Sequence, residues 1–80
     1  MNLLHEVTRP VSGVKLNPGI ARHIQHAHNL HDISHVARLL DTEETYLTRC
    51  LEGETAPSVK LIAEIVVLTG LSIAQVVQQA

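Results

Sequence analysis

Five of the six histidines, His23, His26, His28, His31 and His35, fall in one short stretch, and imidazole is both a common metal ligand and the side chain that titrates nearest neutral pH. His23 with His26, and His31 with His35, have spacings that bring two rings together on a helix. No cysteine lies near them and no third ligand is arranged with either pair, so they read as surface histidines rather than a metal set, with a pH-sensitive contact as the alternative. Cys50 is the sole cysteine; it excludes an internal disulfide and falls on an apolar helix face, as a small core residue. Neither a nucleophile–base pair nor a glycine-rich phosphate loop is present, which argues against an enzyme and calls for no cofactor. What remains is Thr45, Thr48 and Arg49, side chains able to contact bases and phosphates, with Glu44 beside them.

These residues need a helix to present them, and the chain is punctuated for several. Asn17-Pro18 starts a first helix that should run to about Asn29, with Ile20, Ile24 and Ala27 as its buried stripe. Asp32 caps a second, in which Ile33, Val36, Ala37 and Leu40 share a face; Asp41 and Thr42 stop it, and Asp41 with Glu44 has the spacing of a capping box. A third helix, roughly Glu43 to Glu52, buries Leu47, Cys50 and Leu51 and turns Thr45, Thr48, Arg49 and Glu52 outward, until Gly53 ends it. Tyr46 flanks that buried stripe, with its hydroxyl either at the surface or on a phosphate. Pro57-Ser58 opens the fourth and most apolar helix, carrying Leu61, Ile62, Ile65, Val66 and Leu68 to Gly70. Ser72 with Gln75 forms a capping box that launches a fifth helix over IAQVVQQA, where Leu71 can staple onto Val76. Residues 1–16 hold Pro10 and Gly13 and show no helical period, so they read as an extended N-terminal arm, mobile or paired as a short strand, ahead of a domain over 17–80.

Eighty residues make one domain. The composition is 45% hydrophobic yet has no Phe or Trp and one Tyr, so the core is filled by Leu, Ile, Val and Ala, and stacking platforms for single-stranded nucleic acid are missing. The formal charge is −2, from six Lys and Arg against eight Asp and Glu. No run reaches the roughly 18 apolar residues of a membrane span, and no basic segment leads into one at the start, which points to a cytoplasmic protein without a membrane partner.

Val36-Ala37 with Leu39-Leu40, then Leu47, Glu52-Gly53, Pro57-Ser58, Leu61 through Leu68 and Gly70-Leu71-Ser72 follow one another in an order and spacing that resembles the Xre/Cro-type repressors of phages and plasmids over about Leu30 to Val77. The resemblance implies an all-α, five-helix, lambda-repressor-like helix-turn-helix domain whose third helix reads the major groove of a double-stranded DNA operator. It implies DNA contacts at Glu44, Thr45, Thr48 and Arg49, with phosphate contacts from Arg38, Lys60, Arg9, Lys15 and Arg22, and the arm within reach of a minor groove. It also implies a homodimer through Ile73, Val76 and Val77, the residues that alternatively close the core. Four positions depart from the family pattern: Ile33 and Glu44 stand where it has Gln, Glu52 where it has a polar residue that meets the backbone, and Asp41 where it has Gly. The resulting acidic face, with the net charge, motivates the alternative of a protein-interaction module, an antagonist or adaptor that leaves DNA alone.

Overall fold

The structure, a computed structural model, describes residues 8–80; the first seven residues of the expected arm lie outside the described residues. In chain order the elements are β1 (Val14–Leu16), α1 (Ile20–His28), α2 (Ile33–Leu39), α3 (Glu44–Leu51), α4 (Val59–Thr69), α5 (Ile73–Val76) and β2 (Val77–Gln79).

The expectation of an all-α lambda-repressor-like domain is corrected here. β1 and β2 form a two-stranded antiparallel sheet with Val14 opposite Gln79, Lys15 opposite Gln78 and Leu16 opposite Val77, and the described chain is 53% helical. The fifth helix, expected over IAQVVQQA, stops after Val76, and Val77 is already extended at φ −119°, ψ 156°. Consecutive β-branched valines restrict side-chain rotamers in a helix and suit a strand. Continuing the helix would also strip β1 of the partner its backbone requires. The strand pair is extended by Asn17 N–H donating to the Val76 carbonyl (2.8 Å) and Ala80 N–H donating to the Gly13 carbonyl (3.0 Å).

The strand β1 therefore falls inside the span read as an arm, and Leu16, 1% exposed, belongs to the core with Ile20, Ile24, Val36, Leu40, Leu47, Cys50, Leu61, Ile65 and Val76. Earlier still, Pro10 bridges to Ser58, and Val11 N–H donates to the Pro57 carbonyl at 2.8 Å, so the segment is strapped across the start of α4.

Local chemistry sets most helix ends. Asp32 accepts from His35 N–H at the start of α2, and Ser58 from Leu61 N–H at the start of α4. Gly70 closes α4 at φ +73°, where a Cβ is penalised. Three expectations fail. Helix α1 begins after Gly19, because Asn17 is spent on a turn: its Oδ1 accepts from Gly19 N–H and its Nδ2 donates to the Gln75 carbonyl. Ala27 is exposed, on the solvent side of α1. The capping box between Asp41 and Glu44 does not form: Glu43 is the N-cap of α3 and makes no side-chain cap bond, while Asp41 serves the turn at φ +50°.

Candidate nucleic-acid interface

Helix α2, the four residues Leu40 to Glu43, and α3 make a helix, a tight turn and a second helix. Leu47 and Cys50 bury one side of α3. Thr45, Arg49 and Glu52 are exposed and Thr48 is half-buried, four positions that helical spacing gathers on the opposite side. Glu44 is exposed in the first turn, where negative charge suits the helix dipole. That outward face offers two hydroxyls, one guanidinium and two carboxylates. Hydroxyls bond bases and phosphates alike, a guanidinium fits the paired acceptors of guanine, and a carboxylate accepts from a cytosine amino group.

The expected phosphate contacts fall into two groups. Arg38 is exposed on the last turn of α2 and lines a recess of about 450 Å³ with Ser34, Ala37, Asp41, Thr42, Glu43 and Glu44; three acids to one cation make that recess acidic. Arg22 is exposed on α1, and Lys15 is half-buried on β1. The aliphatic stem of Lys15 passes over Gly53 at the end of α3, close enough that a methyl group added there would lie 4.0 Å from Cδ.

Lys60 and Arg9 belong to the second group. The Lys60 ammonium donates to the Asp41 carbonyl at 3.2 Å, sits 3.7 Å from the Asp41 carboxylate and 3.8 Å from Glu64, so it ties α4 to the turn. Arg9 is exposed but rides on the strap beside Pro10, which fixes the backbone expected to reach a minor groove.

Tyr46 is used structurally: its hydroxyl oxygen accepts from Ser58 N–H at 2.9 Å, pinning α3 to the start of α4. Burial pushes the Cys50 thiol up from its ordinary value, partly offset by the Tyr46 hydroxyl. At α2, hydrogen bonds from the Ser34 hydroxyl and then His35 N–H hold the Asp32 carboxyl below the usual carboxylate range. His23, His26, His28, His31 and His35 are all exposed, and among the described residues no three His, Cys, Asp or Glu side chains are placed to hold a metal ion. No helix among those residues is long and apolar enough to cross a membrane.

Of the residues expected at a dimer interface, Val76 is fully buried in the chain's own core, Val77 is half-buried in β2, and Ile73 alone is largely exposed, at 61%. The open apolar surface lies instead on α4, where Val59 and Val67 are 46% and 83% exposed. Its signal was in the sequence: VKLIAEIVVLT is apolar almost all round, more than one buried stripe requires. No protein-family model, curated protein or solved structure matches the chain.

Proposed function

We propose that the protein is a sequence-specific DNA-binding regulator of the Xre/Cro-like kind that acts by occupying an operator, with α3 entering the major groove and no catalytic step. The observation that carries the reading is the outward face of α3, where Thr45, Thr48 and Arg49 stand together behind a tight turn while Leu47 and Cys50 anchor the helix. Arg49 reads a base, the threonines bond bases or phosphates, and Arg38 and Lys15 supply phosphate contacts.

A second reading rests on a separate observation, the acidic recess of Asp41, Glu43 and Glu44 around Arg38. Carboxylates repel phosphates, and they suit a basic segment of a protein partner.

Binding of the folded protein to a labelled pool of random duplex DNA, with the retained fraction sequenced, separates the two. Recovery of a defined motif, with affinity that falls as salt rises and is lost in Arg49→Glu, supports the regulator. With Arg38 and Lys15 on phosphates, the slope of log K against log salt is about −2 per copy. Absence of retention at low salt, from protein that is folded, sinks it. Binding to a basic peptide that Glu44→Lys removes and Arg49→Glu leaves intact establishes the second reading.

A further inference from the structure

We propose that the cavity between the N-terminal strap and the start of α4 is a binding site for a small monocarboxylate with a compact apolar body, held by Lys60. The cavity has a volume of about 240 Å³ and is walled by Pro10 from the strap, Thr42 from the turn, Tyr46 from α3, Thr55 from the loop that follows, and Ser58 and Lys60 at the start of α4. Pockets for drug-sized ligands run from about 300 Å³ upward, whereas about 150 Å³ accommodates a benzene ring. This cavity therefore takes a single ring or a short branched chain together with one carboxylate.

Its walls are fixed before any ligand arrives. Ser58 N–H donates to the Tyr46 hydroxyl at 2.9 Å, which holds the phenol ring. Pro10 bridges to Ser58 and Val11 N–H donates to the Pro57 carbonyl at 2.8 Å, which holds the strap. Thr42, Tyr46 and Thr55 are half-buried and Ser58 is buried. The proline ring, the phenol ring and the threonine methyls give an apolar lining, and the threonine hydroxyls set hydrogen-bond donors beside it. A few convergent polar groups on apolar walls are the common form of a small-molecule site, and walls set in advance reduce the ordering cost of binding.

Lys60 decides the sign of the ligand's charge. It is the one charged side chain among the described residues that line the cavity. An ammonium has three donors. Among the described residues one of them goes to the Asp41 carbonyl at 3.2 Å, while the carboxylates of Asp41 and Glu64 stay at 3.7 and 3.8 Å, beyond hydrogen-bond distance. An ammonium–carboxylate hydrogen bond closes to about 2.7–2.9 Å, so a carboxylate entering the cavity offers Lys60 a bond that neither surface acid makes. The Asp41 side chain is 89% exposed, and an exposed pair of that kind is given up at little cost. Phosphate is disfavoured, because Thr42 also borders the recess of Asp41, Glu43 and Glu44, and a lone ammonium near those acids balances one negative charge better than two. Occupation draws Lys60 from Asp41, the left-handed residue of the turn into α3. A consequence for DNA binding rests on the proposed function; the site itself does not.

Binding is read without DNA, so failure of either reading leaves the other standing. In amide-resolved NMR spectra of the full chain, benzoate is expected to shift Thr42, Thr55, Ser58 and Lys60 with a dissociation constant of about millimolar order, and to leave Arg22 and His26 on α1 unmoved. Benzamide, the neutral isostere, and inorganic phosphate should each bind about 10-fold more weakly or worse. Lys60→Gln, at a half-buried position, should weaken benzoate by about the same factor with circular dichroism unchanged. Thr55→Leu fills the cavity while leaving Lys60 in place, and should abolish the shifts. Absence of a saturable shift at these amides up to about 20 mM benzoate overturns the proposal, and so does binding that benzamide or phosphate equals, or that survives either substitution in folded protein.

Discussion

Truncation of Leu16 to alanine distinguishes a structural strand from a passive arm. Leu16 is 1% exposed and sits opposite Val77. The bond from Asn17 N–H to the Val76 carbonyl lies at the adjacent pair, placing Leu16 and Val77 at a non-hydrogen-bonded site of the ladder, where side chains approach most closely. A chain of 80 residues has a total stability of about 4–12 kcal/mol. Removing a fully buried leucine side chain costs about 2–5 kcal/mol, because the transfer and cavity contributions add. A central loss of about 3 kcal/mol lowers the melting temperature by about 12–24 °C in a domain of this size. Urea unfolding followed by circular dichroism measures it, with an unchanged dependence on denaturant showing that the transition remains the same one. Ser12→Ala, in the same segment but exposed, should stay within about 0.5 kcal/mol. Combining Leu16→Ala with Val77→Ala should show a coupling of about 0.2–1 kcal/mol across the strands. A loss below about 1 kcal/mol for Leu16→Ala would refute the reasoning, since a leucine that leaves solvent only on folding cannot be so inexpensive to remove.

Two further outcomes follow from single positions. Asp41 holds φ +50°, a conformation that costs an L-residue relative to glycine, so Asp41→Gly should raise stability by up to about 1 kcal/mol by thermal melting; a loss of more than about 0.5 kcal/mol would assign the Asp41 carboxylate a real hold on Lys60. The Cys50 thiol is buried and its pKa raised. Stability from this group is intact below about pH 8.5, the unfolded value, and falls as pH rises from there towards the folded value, because the unfolded chain releases its proton first. Cys50→Ala should flatten that alkaline limb, and thiol labelling of the native protein at pH 8 should proceed only as fast as unfolding; rapid full labelling would refute the burial.

Where a signal is local, the sequence carried it. Asp32 and Ser58 precede apolar runs and bond the amide three residues on, and Ser72 with Gln75 closes the box that their spacing allows. What lay beyond reach was nonlocal. The amide of Asn17 donates to Gln75, 58 positions away, and nothing within four residues of either announces it. The sheet joins strands of three residues from opposite ends of the chain, too short for an alternating pattern to register. Asp41 was legible as a residue tolerant of a left-handed turn but not as one that thereby forgoes a cap. On α3 the division between Leu47 and Cys50 inside and Thr45 and Arg49 outside follows from helical period alone, whereas the attachment of Lys60 to Asp41 depends on how α4 meets the turn.

That attachment bears on what the α3 face can do. A DNA-binding surface draws most of its affinity from cations released to meet phosphates, and in this fold Lys60 is engaged with Asp41 and Glu64 while Arg9 rides on a strapped segment. Arg38, Arg49 and Lys15 remain near α3, with Arg22 exposed on α1, against Asp41, Glu43 and Glu44 around Arg38. Surface ion pairs are worth little, so Lys60 can be exchanged to a phosphate at small cost, but the acids stay. On the proposed reading of α3, one copy would bind DNA weakly, and discrimination would have to come from hydrogen bonds made by Arg49, Thr45 and Thr48 rather than from bulk attraction.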